Sequence, residues 1–364
     1  MDKDEIYLSV VATSRNDDHG GQMLARMKHF AQGVADQSRR FRLRCELVLV
    51  EWNPPPDKAL FSGLDCWPTS NEYFTMRIIT VPKSYHCQFS YSGRIPLYQY
   101  LAKNIGIRRA RGEYILATNI DIVLSDALFE LFARRQLRPG YHYRVDRWDV
   151  DFTDVPDQLT HEERQRTCAD RVTHVHHRFG VLRPEATPGS EDRLSEVARQ
   201  LDRRLSEGWD SLLQYSPYLF QYHPLHTNGC GDFTLLARTD WYRLRAYLEE
   251  PIHSWHTDTI FLVQAQEAGV VELFTGFHRP AFHISHDSGW AGATVLDRRE
   301  DFRFDVQKPR RDGPIQLGIE PRYVARISDR DLKEFVEFVR GRGSFVLNDE
   351  TWGAVSQQFA EHRI

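Results

Sequence analysis

The chain has no long apolar run: none of its stretches approaches the ~20 residues that a membrane-spanning helix requires. Cysteine is scarce, odd in number and scattered (Cys45, Cys66, Cys87, Cys168, Cys230). That pattern suits reduced thiols rather than a disulfide framework. There is no excess of positive charge either. Lys and Arg number 47 against 51 Asp and Glu, for a net charge of −4 and a pI near 6.5, which argues against a dedicated nucleic-acid binder. The short basic clusters Arg39-Arg40-Phe41-Arg42-Leu43-Arg44 and Lys308-Pro309-Arg310-Arg311 read as solvated charged faces. No internal repeat and no low-complexity tract is visible. The charged start Met1-Asp2-Lys3-Asp4-Glu5 runs directly into a strand and does not read as a secretory signal. The expected compartment is therefore the cytoplasm, with contact to the inner membrane face if a lipid is handled.

What is present is a globular composition, 41% hydrophobic and 27% charged over 364 residues, enough for one large or two smaller α/β domains. Ile6–Ala12 reads as a first strand, followed by the polar turn Thr13–Gly21 and a helix over about Gln22–Gln37 with Met23, Leu24, Met27, Phe30 and Val34 on one face. Leu47–Val50 is a second strand, stopped by Pro54-Pro55-Pro56, and Met76–Pro82 is a third. Pro96 suits the first turn of a helix carrying Leu97, Leu101, Ile105 and Arg108 at helical spacing, which Gly112 closes. Strands alternating with helices imply a mostly parallel, doubly wound sheet. Four segments are expected: 1–148 as a ligand-binding half, 149–216 as a polar insertion or lid with a helix over Leu194–Leu205, 217–300 as the second half of the same domain, and 301–364 as a C-terminal extension with a helix over Leu332–Val339.

The most informative stretch is Leu116-Ala117-Thr118-Asn119-Ile120-Asp121-Ile122-Val123-Leu124, an apolar strand ending in two polar side chains one residue apart. Positions i and i+2 of a strand project to the same side. Such a pair at the carboxyl end of a parallel strand is placed to hold a divalent cation and a phosphorylated ligand. With the upstream Ala102-Lys103-Asn104-Ile105-Gly106 and Ala110-Arg111-Gly112-Glu113-Tyr114-Ile115, this unit resembles the nucleotide-sugar-binding half of GT-A glycosyltransferases, especially the inverting family 2. The resemblance covers the first third of the chain and departs from the family at Asn119, where Asp is usual.

The resemblance implies a GT-A (Rossmann-like) fold and transfer of a sugar from a UDP- or GDP-type donor to a saccharide or lipid-linked acceptor, dependent on Mn²⁺ or Mg²⁺. It places Asp17 and Glu51, after the first and second strands, at the base and ribose, with Arg15 and Asn16 as lesser candidates. Asp121 becomes a metal ligand; Asn119, Lys103 and Asn104 position the nucleotide. A late histidine is expected to join the metal, from His283 or His286 beside Asp287. Asp258 matches the acceptor-activating carboxylate, although Thr257 and Asp258 also read as a helix N-cap and first-turn acid. Asp232, in Gly229-Cys230-Gly231-Asp232, is the rival carboxylate, and its glycines allow backbone to approach a donor sugar. Trp255 and Trp290 are candidates for stacking on sugar rings, although packing is the commoner use of Trp. His174, His176 and His177 have no partner cysteines and read as surface residues. Replacing Asp121 with Ala is expected to abolish metal-dependent nucleotide binding and leave the fold intact. A non-catalytic binder is the alternative, motivated by Asn119. A sugar-1-phosphate nucleotidyltransferase would need a Gly-rich loop where Thr13-Ser14-Arg15-Asn16-Asp17 stands.

Overall fold

A computed structural model describes residues 5–185, 192–207, 225–286, 301–302, 326–327, 329–340 and 345–364. Its strands, in chain order, are β1 (Leu8–Ser14), β2 (Cys45–Trp52), β3 (Phe74–Val81), β4 (Tyr114–Thr118), β5 (Ile122–Leu124), β6 (Tyr141–Arg144), β7 (Arg147–Val150), β8 (Val172–His177), β9 (Gly180–Leu182), β10 (Phe233–Ala237), β11 (Val271–Phe274), β12 (Ala281–Ile284), β13 (Asp301–Phe302), β14 (Arg326–Ile327) and β15 (Ala360–Arg363). The helices are α1 (Met23–Arg40), α2 (Lys83–His86), α3 (Gln99–Arg109), α4 (Asp126–Ala133), α5 (His161–Asp170), α6 (Arg193–Glu207), α7 (Arg238–Leu244), α8 (Thr257–Glu267) and α9 (Asp329–Val339). Lys308–Arg311, Asp287 and Trp290 lie outside the described residues.

The expected fold class is present: an α/β protein built on an eight-stranded, mostly parallel sheet in the order β11-β6-β10-β4-β1-β2-β3-β15. β10 and β15 run against their neighbours. The sheet is doubly wound because its strands are apolar on both faces. Val10 and Ala12 of β1 pack with Met27 and Phe30 of α1 and Phe129 of α4. Val11 points the other way, into a core with Ile105 of α3, Trp241 of α7 and Phe261 of α8. Two buried ion pairs pin this framework. Glu46 of β2 takes Arg77 of β3 at 2.8 Å, and it also accepts from the Ser9 hydroxyl at 2.6 Å and the Arg111 N–H at 2.6 Å. Arg164 of α5 reaches Asp36 of α1 at 3.0 Å.

Two glycines of the family-like stretch have steric reasons. A Cβ on Gly106 would come within 2.4 Å of Val11 Cγ1, so glycine lets α3 press onto β1. At Gly112 a Cβ would meet the Ser9 backbone nitrogen at 2.6 Å, an approach that backbone cannot relieve. Gly112 is thus a close-approach residue and not the helix terminus: α3 ends at Arg109, with Ala110 already extended. Pro96 is likewise outside the helix, which begins at Gln99.

A second, five-stranded sheet, in the order β5-β12-β7-β8-β9, decides the site. The apolar run Leu116–Leu124 is broken between the two sheets: β4 ends at Thr118, residues 119–121 turn, and β5 pairs antiparallel with β12. Asn119 and Asp121 therefore do not share a strand face. Residues 147–182 contribute β7, β8, β9 and α5, and this region has its own core of Trp148, Val150, Cys168 and Val175 together with Val197 and Leu201 of α6.

Candidate active site

β1 and β4 run parallel side by side, and their carboxyl ends open onto a cleft of about 500 Å³. This is where doubly wound sheets place ligands, because neighbouring chain segments diverge there. Arg15, Asp17 and His19 follow β1 into one wall; Asn119 and Asp121 follow β4; His253, Ser254, His283 and His286 close the far side.

Asp121, His283 and His286 converge, with one donor atom from each inside a common 4.8 Å. His286 Nε2 lies 3.1 Å and His283 Nε2 4.0 Å from Asp121 Oδ2. Register brings them together: the Ile284 N–H donates to the Asp121 carbonyl at 2.9 Å, locking β12 to the turn after β4. The same strand sets His283 beside Asp149 of parallel β7. Asp149 Oδ1 lies 3.1 Å from His283 Nδ1, which orients the ring with Nε2 toward Asp121, the arrangement common behind metal-binding histidines. Asp149 also takes His176 at 2.9 Å and Arg147 at 2.9 Å.

Arg26 occupies the other side of Asp121. It is 4% exposed, sits on the inner face of α1, and places Nη1 3.0 Å from Asp121 Oδ2. Its remaining donors go to the carbonyls of Gly21 and His19. Burial works against the charged form of Asp121, but the His286 hydrogen bond and the charges of His283, His286 and Arg26 outweigh it and hold the carboxyl well below the ordinary range. For Asp149 the desolvation is likewise overcome, by His176, His283 and Arg147. Burial would lower His283, yet Asp149 and Asp121 raise it. Asp121 Oδ1 is buried without a hydrogen-bond partner. The two imidazoles face Oδ2 while Oδ1 stays orphaned, and this carboxylate with two imidazoles is a donor set that fits a divalent transition ion.

Asn119 has a structural reason for being an amide. β10 runs antiparallel to β4, which sets Asp232 beside Asn119, and the Asn119 Nδ2 donates to Asp232 Oδ1 while its Oδ1 accepts from Gln99 at 2.8 Å. An aspartate there would face Asp232 as a like charge. Asp232 Oδ2 is held by Arg147 at 2.8 Å. Arg147 therefore bridges Asp232 to Asp149, and a polar chain runs from Gln99 through Asn119, Asp232, Arg147 and Asp149 to His283.

Lys103 lies behind this row, fully buried, with Nζ donating to the Gly231 carbonyl at 2.7 Å. Burial lowers it to about 8 against the opposing pull of Asp232, Asp258 and Asp121. Asp258, in the first turn of α8, faces the same loop. A Cβ on Gly231 would sit 2.9 Å from its Oδ2 and 2.7 Å from the Tyr100 hydroxyl, so glycine keeps that space open. Asp258 does not line the cleft itself but follows Ser254, which does.

Of the expected site residues, Glu51, Asn104, Lys103, Asp232 and Asp258 do not line the cleft, and the first two are committed elsewhere. Glu51 is fully buried, accepting the Phe61 N–H at 2.9 Å and the Thr80 hydroxyl at 3.2 Å, so it anchors the turn after Pro54-Pro55-Pro56. Asn104 is fully buried and spends its amide on the Tyr247 backbone and Glu249. Both are framework residues by contact. Arg15 and Asp17 do line the cleft, paired at 2.7 Å, while Asn16 donates to the Ala59 carbonyl at 2.8 Å. Trp255 is 52% exposed next to the cleft-lining Ser254. The surface reading is corrected for two of the three neighbouring histidines: His177 is 6% exposed and His176 joins Asp149, because β8 is an inner strand of the second sheet.

Sequence reasoning missed Arg26, His19, Arg147, Asp149 and His176. Arg26 alone had a local signal, an arginine on the apolar face of an amphipathic helix. Among the described residues no helix is long and apolar enough to cross a membrane.

No protein-family model matches the chain, and no curated protein matches it. Among solved structures the chain is similar to S. aureus TarS (residues 1–349), at 11% sequence identity and a TM-score of 0.40, over 76% of this chain and 60% of that one. The chain thus spans less than two thirds of the TarS chain to which it is similar.

Proposed function

We propose that the protein is a metal-dependent glycosyltransferase whose cleft receives a nucleoside-diphosphate sugar. The observation that carries this reading is the convergence of Asp121, His283 and His286 at the carboxyl end of the central parallel strands, with Asp121 Oδ1 buried and unpartnered beside the cleft. Asp121, His283 and His286 would hold the ion, and two imidazoles in the donor set favour Mn²⁺ over Mg²⁺. When bound, the ion would supply positive charge against the departing diphosphate.

The remaining roles fall to this chain's own side chains. Arg15 and Asp17 offer donors and acceptors to the base and ribose on the wall after β1. Asp232, fixed by Asn119 and Arg147, presents a carboxylate of set orientation to the hydroxyls of the transferred sugar. Asp258 takes the proton of the acceptor hydroxyl; that oxygen bonds to the anomeric carbon, and the bond from that carbon to the diphosphate breaks. Direct displacement of this kind inverts the anomeric centre. A saccharide or lipid-linked acceptor would approach past Ser254 and Trp255. The binding-only alternative rested on Asn119, and the use of that amide to hold Asp232 removes much of its motivation.

The test is thermal shift with a panel of nucleoside diphosphates and nucleotide sugars, with and without Mn²⁺, followed by donor-hydrolysis assays. A Mn²⁺-dependent rise in Tm with one nucleotide class, followed by release of that diphosphate, is the expected result. A Mn²⁺-dependent shift without turnover would return the binding-only reading, and no shift with any donor would remove the site.

A further inference from the structure

A second cavity, about 720 Å³, lies apart from the Asp121 cleft at the β6–β11 edge of the main sheet. β11 pairs parallel with β6, matching Val271 with Tyr141 and Leu273 with Tyr143, so alternate residues share one face. Leu273 remains 37% exposed, and with Tyr141 and Tyr143 it makes an aromatic and aliphatic floor. Three arginines, Arg135, Arg138 and Arg279, stand around it.

Several arginines of this acidic chain are paired. Arg26, Arg77, Arg147 and Arg164 each meet a carboxylate within 3.0 Å. Among the described residues, no ion pair involves Arg135, Arg138 or Arg279. Their placement is nonetheless constrained. Arg135 has a left-handed backbone (φ 51°) and stacks its guanidinium 5.1 Å from the Tyr7 ring centroid. Arg279 Nη1 donates to the Thr275 carbonyl. The Arg138 backbone N–H donates to the Tyr143 hydroxyl at 2.6 Å. No carboxylate lines the cavity among the described residues, so an anion entering it meets guanidinium groups and no like charge. Holding the Arg135 and Arg279 side chains beforehand reduces the ordering cost of binding. Guanidinium forks match phosphate oxygens in pairs, and the volume suits a ligand of nucleotide size.

We propose that this cavity is a second ligand site, independent of the Asp121 cleft, for a small molecule or headgroup carrying two or more phosphate groups. The arginines bind the phosphates, and the Tyr141, Tyr143 and Leu273 floor takes the ring or apolar part.

The test is calorimetric titration with inorganic tripolyphosphate in EDTA, which removes any cation from the other cleft. Parent protein is compared with Arg138→Glu, Arg279→Glu and, as a control in the other cleft, Arg15→Glu, all checked for unchanged melting. Saturable binding by the parent, weakened about tenfold or more in each of the first two variants and unchanged in the third, supports the site. Sedimentation with phosphatidylcholine vesicles, with and without cardiolipin, whose headgroup carries two phosphates, separates the sources. Binding to the anionic vesicles that Arg138→Glu abolishes assigns a headgroup, whereas tripolyphosphate binding alone assigns a soluble ligand. Absence of binding to either probe up to about 10 mM overturns the proposal, as does binding lost only in Arg15→Glu.

Discussion

Replacing Asp121 with Ala is expected to do two separable things, one of which the structure adds to the sequence reading. Asp121 and Arg26 form a buried pair at 3.0 Å, with side chains 9% and 5% exposed. Removing the carboxylate strands the guanidinium among His19, His283 and His286, with only carbonyl partners left. Breaking a buried pair from one side costs about 3–5 kcal/mol. At roughly 2 cal/mol/K of unfolding entropy per residue, a chain of this length should lose about 4–6 °C in Tm. The substitution is thus expected to lower Tm while leaving the fold intact. The assay is differential scanning calorimetry in EDTA on Asp121→Ala, Arg26→Met and the double variant. The double variant should melt within about 2 °C of the parent, because no unpaired charge remains. In Mn²⁺ titrations Asp121→Ala should bind nothing, whereas Arg26→Met should bind more tightly than the parent, since Arg26 competes for Oδ2. An Asp121→Ala protein that melts with the parent would refute the buried pair, and one that keeps Mn²⁺ affinity would refute the metal site.

Two further outcomes follow from the same geometry. Asp149→Asn removes the carboxylate behind His283 Nδ1, and Mn²⁺ affinity measured by the EPR signal of free ion should fall about 10–100-fold; unchanged affinity would show that His283 is not oriented by Asp149. His29 is buried on the inner face of α1, and burial lowers it to about 4. The folded state thus carries it neutral while the unfolded chain protonates near pH 6.5, so its contribution is present above that pH and is lost as pH falls toward 4. Urea unfolding of His29→Gln should show a stability–pH slope about 1.1 kcal/mol per pH unit shallower than the parent between pH 6 and 4.5; an identical slope would mean that His29 is solvated.

The first strands and helices were legible because periodicity is local. Val10, Val11 and Ala12 announce a strand buried on both faces, and the apolar stripe of Met23, Met27, Phe30 and Val34 announces α1. Element ends were less legible. Gly112 has the residue type of a helix stop, yet its reason is Ser9, which lies 103 positions earlier in the chain. The run Leu116–Leu124 looked like one strand because a strand that passes from one sheet to another keeps its apolar character.

For the site, the sequence by itself determined the donors: a carboxylate after the central strand, two late histidines, and acids near β1 and α8. Only the tertiary structure decided which of them meet. Asp121 and His283 are joined by the β12–β5 and β12–β7 registers, and Asp149 and His176 enter only because residues 147–182 form a packed sheet. Asn104 is in a helix as expected, whereas Glu51 lies inside β2 and not after it, and both were turned away by hydrogen bonds to Phe61, Thr80 and Tyr247. Composition and spacing report what a side chain can do. Whether its polar atoms face a ligand or the protein depends on long-range register, and register is set by packing between segments that lie far apart in the chain.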